Sequence, residues 1–168
     1  MRNFIYTYFH MAKEDIADLT KFLSPFPEDI QKLAFRLRDF VWDLYPQTNE
    51  LIYDNYNAVA FGWSITDKQG SVFCTIAVGR SSYIVHFGFY HGADLADPDG
   101  ILLGEGNQYR YILVKDIKDF PKTYIKKLVK EAYVNALAKT KTPSNLQGQT
   151  ITKSISAAKR PAAKKKKK

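Results

Sequence analysis

Apolar residues in this chain change their period twice, and that pattern restricts it to one class of fold. From about Glu28 to Leu44, Ile30, Leu33, Leu37, Phe40, Val41 and Leu44 recur at the spacing of one helical face. Pro27 suits the first turn of that helix and Pro46 ends it. Arg36, Arg38, Asp39 and Asp43 lie off the stripe and read as solvent-facing. Between Glu50 and Asp116 the pattern becomes extended, because β-branched and aromatic residues dominate and Gly, Asn and Asp punctuate short runs. Strands are expected near 50–55, 58–65, 71–78, 83–90 and 109–115. The turns Asp67-Lys68-Gln69-Gly70 and Gly79-Arg80-Ser81-Ser82 are short enough to make the middle strands antiparallel. Val72, Cys74, Ile76 and Val78 mark one apolar face. In the next run Tyr83, Val85, Phe87 and Phe89 alternate with Ile84, His86 and Gly88, so that one side is buried and the other partly wet.

Helical spacing returns from about Pro121 to Lys139, with Ile125, Leu128, Val129, Ala132, Ala136 and Leu137 inward. A shorter helix is expected over 12–23, with Ile16, Leu19 and Leu23 on one face, stopped by Ser24-Pro25-Phe26-Pro27. Helices at both ends of a run of antiparallel strands indicate an α+β two-layer domain, a mostly antiparallel five-stranded sheet packed against N- and C-terminal helices. That domain is expected over residues 1–140. From 141 to 168 Thr, Ser, Gln and Asn take over around Pro143 and Gly148, and a flexible linker with a disordered basic tail is expected.

The charge is as uneven as the hydrophobicity. The formal net charge is +8, and Lys153, Lys159, Arg160, Lys164, Lys165, Lys166, Lys167 and Lys168 account for all of it with no acid among the last eighteen residues. A block of like charge resists burial and repels itself, so this end reads as a solvated arm directed at a polyanion, most naturally nucleic acid. Lysines present point charges without bidentate base readout, so such contact would be indifferent to sequence, with a logarithmic salt slope of at most about −5 to −7. Lys159-Arg160-Pro161-Ala162-Ala163 followed by five lysines is also compatible with a nuclear-import signal, or with a tail that only solubilises.

Cys74 is the sole cysteine, so an intrachain disulfide or a paired-cysteine metal site is excluded and a reducing compartment is favoured. The flanks of Cys74 read as a strand interior, where a thiol packs as a small hydrophobe. No apolar run reaches the ~20 residues needed to span a bilayer. The expected location is cytoplasmic, or nuclear if the tail is an import signal, and no membrane partner is expected.

The segment His91, Asp94, Asp97, Asp99, Glu105 concentrates groups able to bind a hard divalent cation or ferrous iron. An EF-hand is excluded because Leu95 and Gly106 stand where its first and last ligands belong. The competing reading is that these aspartates cap turns around Pro98. Gly100-Ile101-Leu102-Leu103-Gly104-Glu105-Gly106 lacks the Lys-Ser/Thr of a phosphate loop. His86 sits in mid-strand and reads as structural, and His10 has no nameable partner. No nucleophile elbow or zinc motif is present, so a non-catalytic protein is expected. Tyr53, Tyr56, Phe61, Trp63, Phe87 and Tyr111 either line a ligand-holding hollow of the sheet or form the sheet-to-helix core.

The pieces Gly92-Ala93-Asp94-Leu95-Ala96-Asp97-Pro98, Leu103-Gly104-Glu105-Gly106 and Tyr109-Arg110-Tyr111, with Thr48-Asn49-Glu50-Leu51-Ile52-Tyr53 upstream, resemble the YdhG-like domain of unknown function. The resemblance covers roughly residues 27–139; Asn107 stands where that family often has a basic residue, and the tail has no counterpart in the family core. Some members are described as frataxin-like intracellular iron chaperones. The resemblance therefore implies, as an alternative to the nucleic-acid arm, iron carried on Asp94, Asp97, Asp99 and His91, with no resident cofactor.

Overall fold

The computed structural model describes residues 12–141 and 148–163. Among these residues three complete helices, α1 (Ala17–Leu23), α2 (Glu28–Leu44) and α3 (Lys122–Lys139), accompany six strands: β1 (Asn49–Asp54), β2 (Ala58–Ser64), β3 (Val72–Gly79), β4 (Val85–Phe89), β5 (Arg110–Val114) and β6 (Thr150–Ile155). One sheet has the order β5-β4-β3-β2-β1-β6. Every pairing is antiparallel except that of β6 with β1. The α+β expectation holds, but the sheet is mixed and six-stranded rather than five-stranded.

The sixth strand corrects the reading of a linker and disordered tail. Thr150 to Ile155 reads Thr-Ile-Thr-Lys-Ser-Ile, with too few apolar positions to announce a core strand. Its β-branched residues nevertheless suit an extended backbone, and β1 presents an unpaired edge that needs hydrogen-bond partners. Ile151 sits opposite Leu51, and a register irregularity between Ile52 and Tyr53 then brings Ser154 opposite Tyr53.

One face of the sheet packs on the helices. Trp42 of α2 meets Trp63 edge-on at 6.2 Å. Phe40 packs edge-on against Phe87 and Phe120, at 6.1 and 5.2 Å. Phe73 lies against Tyr45 and Tyr133, which ties α3 to the same core. A register shift between Trp63 and Ser64 alters the β3 pattern at this point. Phe73 therefore joins the helix side, while Val72, expected on the apolar face with Cys74, sits beside Thr75 on the other side.

Other local expectations shift for identifiable reasons. The helix expected over 12–23 is interrupted at 15–16, and Ile16 is exposed. The fourth strand begins only at Val85, because Tyr83 takes φ 57° in the turn and packs edge-on against Phe26. Leu137 is exposed rather than inward. The largest correction is Arg38, expected to face solvent and found 1% exposed. Its guanidinium grips Glu50, itself 0% exposed, through Nε–Oε1 and Nη2–Oε2 contacts of 2.8 Å each, and donates to the Lys13 carbonyl at 2.7 Å. Trp42 Nε1 and Thr150 Oγ1 donate to the same carboxylate at 3.4 and 3.1 Å, so the pair joins α2, β1 and β6.

Candidate functional site

Three regions carry the residues singled out above, and the structure treats them differently. In the C-terminal segment, backbone bonds run from Ser156 N–H to the Asp54 carbonyl, from Arg160 N–H to Tyr56 and from Ala163 N–H to Ser81. The chain is thereby laid across the ends of the β1–β2 and β3–β4 hairpins. Lys159 Nζ lies 2.7 Å from a carboxylate oxygen of Asp54 and donates to the Asp54 carbonyl at 2.8 Å. Asp54 is buried and also pairs with Arg80, which donates through Nε to the Asn55 carbonyl at 2.9 Å. Lys159 is thus engaged inside the fold rather than offered to a partner. Lys153 and Arg160 are exposed. Lys164, Lys165, Lys166, Lys167 and Lys168 lie outside the described residues, as do His10 and Pro143. The separation of a balanced globule from a wholly detached cationic arm therefore fails as far as Ala163: Lys159 is docked on an acid of the same molecule.

The acidic loop does not converge. Asp94 accepts from Lys139 Nζ at 2.6 Å, and that hydrogen bond and charge, with a smaller contribution from His91, hold its carboxyl below the usual range. His91 Nε2 lies 3.3 Å from the Gly70 carbonyl oxygen. Asp97 accepts from Tyr124 Oη at 2.6 Å and from the backbone N–H groups of Leu102 and Ile101 at 2.9 and 3.2 Å. Asp99 contributes only its backbone N–H, to Tyr124 Oη at 3.2 Å. Among the described residues no three His, Cys, Asp or Glu side chains are grouped so as to hold a metal ion. As they stand, Asp94, Asp97, Asp99 and His91 do not fit an iron site; the first two fasten the loop to α3.

Asp97 has a pH consequence. Partial burial pushes its pKa up, but the hydrogen bonds from Tyr124, Leu102, Ile101 and Gly100 outweigh burial, and the net shift is downward. A lowered carboxylate contributes stability that is complete above its unfolded pKa and is lost as pH falls through the folded value. Asp97→Ala is expected to cost about 1–3 kcal/mol at neutral pH, the range for leaving such donors unpaired. In urea titrations the gap from wild type should persist down to about pH 4 and close below it. A gap that stays constant to lower pH would contradict this account.

The third region is a hollow of about 410 Å³ on the sheet face turned away from the helices. Its origin lies in β2, where large and small residues alternate: Val59, Phe61 and Trp63 are fully buried, while Ala58 and Ala60 are partly buried and Gly62 has no side chain. Strand register continues this smallness across the sheet, pairing Ala60 with Ala77, Gly62 with Thr75 and Thr75 with Gly88. Both of those glycines make room for a neighbouring side chain. A Cβ on Gly62 would stand 2.9 Å from Val72 Cγ1, and one on Gly88 would overlap the ring and hydroxyl of Tyr109. Larger side chains form the rim: Tyr53 on β1, and Tyr90 and Tyr109 from the segments flanking β4 and β5. Beyond Tyr109, Tyr111 stacks on it at 5.7 Å and on His86 at 4.4 Å. Burial pushes the Tyr109 phenol up to about 12, with Tyr111 adding to the shift, and burial alone lowers the His86 pKa.

No protein-family model, curated protein or solved structure matches the chain. Function must therefore be argued from this geometry.

Of the six aromatics expected in the hollow or the core, three are core and one lines the hollow. Phe61, Trp63 and Phe87 are fully buried core residues, Tyr53 lines the hollow, Tyr111 stacks beside it, and Tyr56 is exposed. Cys74 is wholly buried, and desolvation pushes its thiol well up, which suits packing. Sequence reasoning missed Arg38, Glu50, Asp54 and Arg80, since charge in a sequence reads as exposure. The hollow did leave a trace, the small-large alternation Ala58-Val59-Ala60-Phe61-Gly62-Trp63.

Proposed function

We propose that this chain is a small, non-catalytic YdhG-like binding domain whose cationic C-terminal end contacts nucleic acid through phosphates, without reading base sequence. The observation that carries this reading is the anchoring of residues 150–163 along the sheet edge and hairpin ends. It leaves Lys153 and Arg160 exposed and bonds the N–H of Ala163, the last described residue, to the Ser81 carbonyl. Thr150 to Lys168 contain no acid, so nothing in that segment offsets its own charge. The iron-carrying alternative has no comparable geometric support, since Asp94 and Asp97 are engaged with Lys139 and Tyr124.

Engagement of Lys159 with Asp54 leaves seven of the eight terminal cations for phosphates. The steepest logarithmic salt slope is then about −6 on duplex DNA and about −5 on single strands. A cut at residue 153 would divide β6, so charge neutralisation is the cleaner probe. Fluorescence anisotropy with mixed-sequence DNA and RNA, from about 50 to 200 mM salt, should show binding that collapses when residues 164–168 are all changed to Gln. Lys153→Gln and Arg160→Gln should each flatten the slope by roughly 0.7–0.9, while Lys159→Gln leaves it unchanged. Full binding by the glutamine-tailed chain would refute the reading.

A further inference from the structure

The hollow has features that the cationic end does not use. Its rim offers the rings of Tyr53, Tyr90 and Tyr109, with the side chains of Asn55, Gln69 and Gln108 beside them, and among the described residues no Asp, Glu, His, Lys or Arg lines it. A charged ligand would be desolvated there without a counter-charge, which is costly, so the occupant is neutral. The floor is shallow and made of Ala60, Gly62, Thr75 and Ala77, which leaves flat apolar ground between the tyrosines. Carboxamides and phenols pair with groups that both donate and accept, and tyrosine rings favour flat partners. The volume lies within the range of ordinary small-molecule sites.

A second observation points to a ligand. The Tyr53 hydroxyl is buried and has no hydrogen-bond partner among the described residues. A buried hydroxyl left unpaired costs free energy, and native proteins rarely tolerate it without a reason. Trp63 Nε1 shares this state, but Trp63 lies in the helix-side core against Trp42 and Phe61. Tyr53 instead lines the hollow, so a small turn of its ring as a ligand enters would let the buried hydroxyl pair with it.

We propose that this hollow is a binding site for a neutral, planar heteroaromatic molecule of nucleobase to nucleoside size, held between the Tyr53, Tyr90 and Tyr109 rings and hydrogen-bonded by Asn55, Gln69, Gln108 and the Tyr53 hydroxyl. The site is independent of the cationic end: its ligand carries no phosphate, and its affinity does not depend on salt.

The test is titration of the full chain with adenosine, guanosine, cytidine and uridine, up to about 5 mM, followed by NMR at the tyrosine rings. Saturable shifts at Tyr53, Tyr90 and Tyr109 with at least one nucleoside are expected, unchanged by added salt and unchanged when residues 164–168 are replaced by Gln. Ala77→Phe, which fills the floor, should abolish them. Tyr53→Phe should weaken binding roughly 3- to 10-fold, as loss of one neutral hydrogen bond does. Should Ala77→Phe fail to fold, Ala60→Leu fills the same floor from the neighbouring strand. No saturable binding of any of the four nucleosides, or binding that survives in a folded, filled variant, overturns the proposal. Neither result bears on phosphate contact by the C-terminal end.

Discussion

Arg38→Ala is expected to destabilise the protein by about 3–5 kcal/mol, because it strands a carboxylate inside the core. Glu50 is 0% exposed and receives both arms of the Arg38 fork, so without them its charge has, among the described residues, only Trp42 and Thr150 as side-chain donors. For a chain of this size each kcal/mol moves Tm by about 2–4 °C, which makes the expected fall roughly 6–20 °C. Arg38→Lys should recover only part of it, since a single ammonium cannot reproduce the two parallel contacts. Arg38→Met combined with Glu50→Leu should recover roughly half or more, because neither charge is then left buried alone. Thermal melts of the four proteins decide the matter. An Arg38→Ala chain within about 1 kcal/mol of wild type would mean that water reaches Glu50 and that the pair is not sealed.

The second large effect is expected at Asp54. This buried carboxylate accepts from Arg80, 7% exposed, and from Lys159, and it is the one acid that fastens the C-terminal segment to the hairpin ends among the described residues. Asp54→Ala leaves Arg80 with its contacts to the Asn55 carbonyl and the Phe26 ring but without a counter-charge. A cost of about 3–5 kcal/mol is expected. The local consequence should be as clear as the global one: Lys159 loses its ion pair and keeps only its bond to the residue-54 carbonyl, so the segment beyond β6 is held more weakly and trypsin should cleave after Lys159 far faster. With its counter-charge gone, Lys159 also becomes available to phosphates, so in the milder Asp54→Asn the salt slope for nucleic acid should steepen by up to roughly 0.7–0.9. Unfolding within about 0.5 kcal/mol of wild type, together with unchanged proteolysis, would show that the segment is held by backbone bonds alone.

Both predictions concern charges that the sequence presented as ordinary. Arg38 lies between Leu37 and Asp39 on a helix whose apolar stripe is complete without it, and only the arrival of Glu50 from β1 makes its burial favourable. Asp54 and Lys159 are separated by more than a hundred residues, and no local pattern joins them. The acidic loop shows the reverse. Its carboxylates were legible as turn caps around Pro98, and Asp97 does receive the N–H groups of Ile101 and Leu102, because capping is a local interaction between near neighbours.

By itself the sequence determined what short-range physics controls: the span of α2, five of the strands within one or two residues, the antiparallel hairpins, and the burial of Cys74. Periodicity suffices there because each residue's environment follows from neighbours two to four positions away. Tertiary structure alone decided that Thr150 to Ile155 closes the free edge of β1, that Arg38 and Asp54 carry buried charge, and that small residues from adjacent strands align into a hollow. Edge pairing is driven by backbone groups that every sequence carries alike, and ion pairs and cavities depend on which distant residues meet.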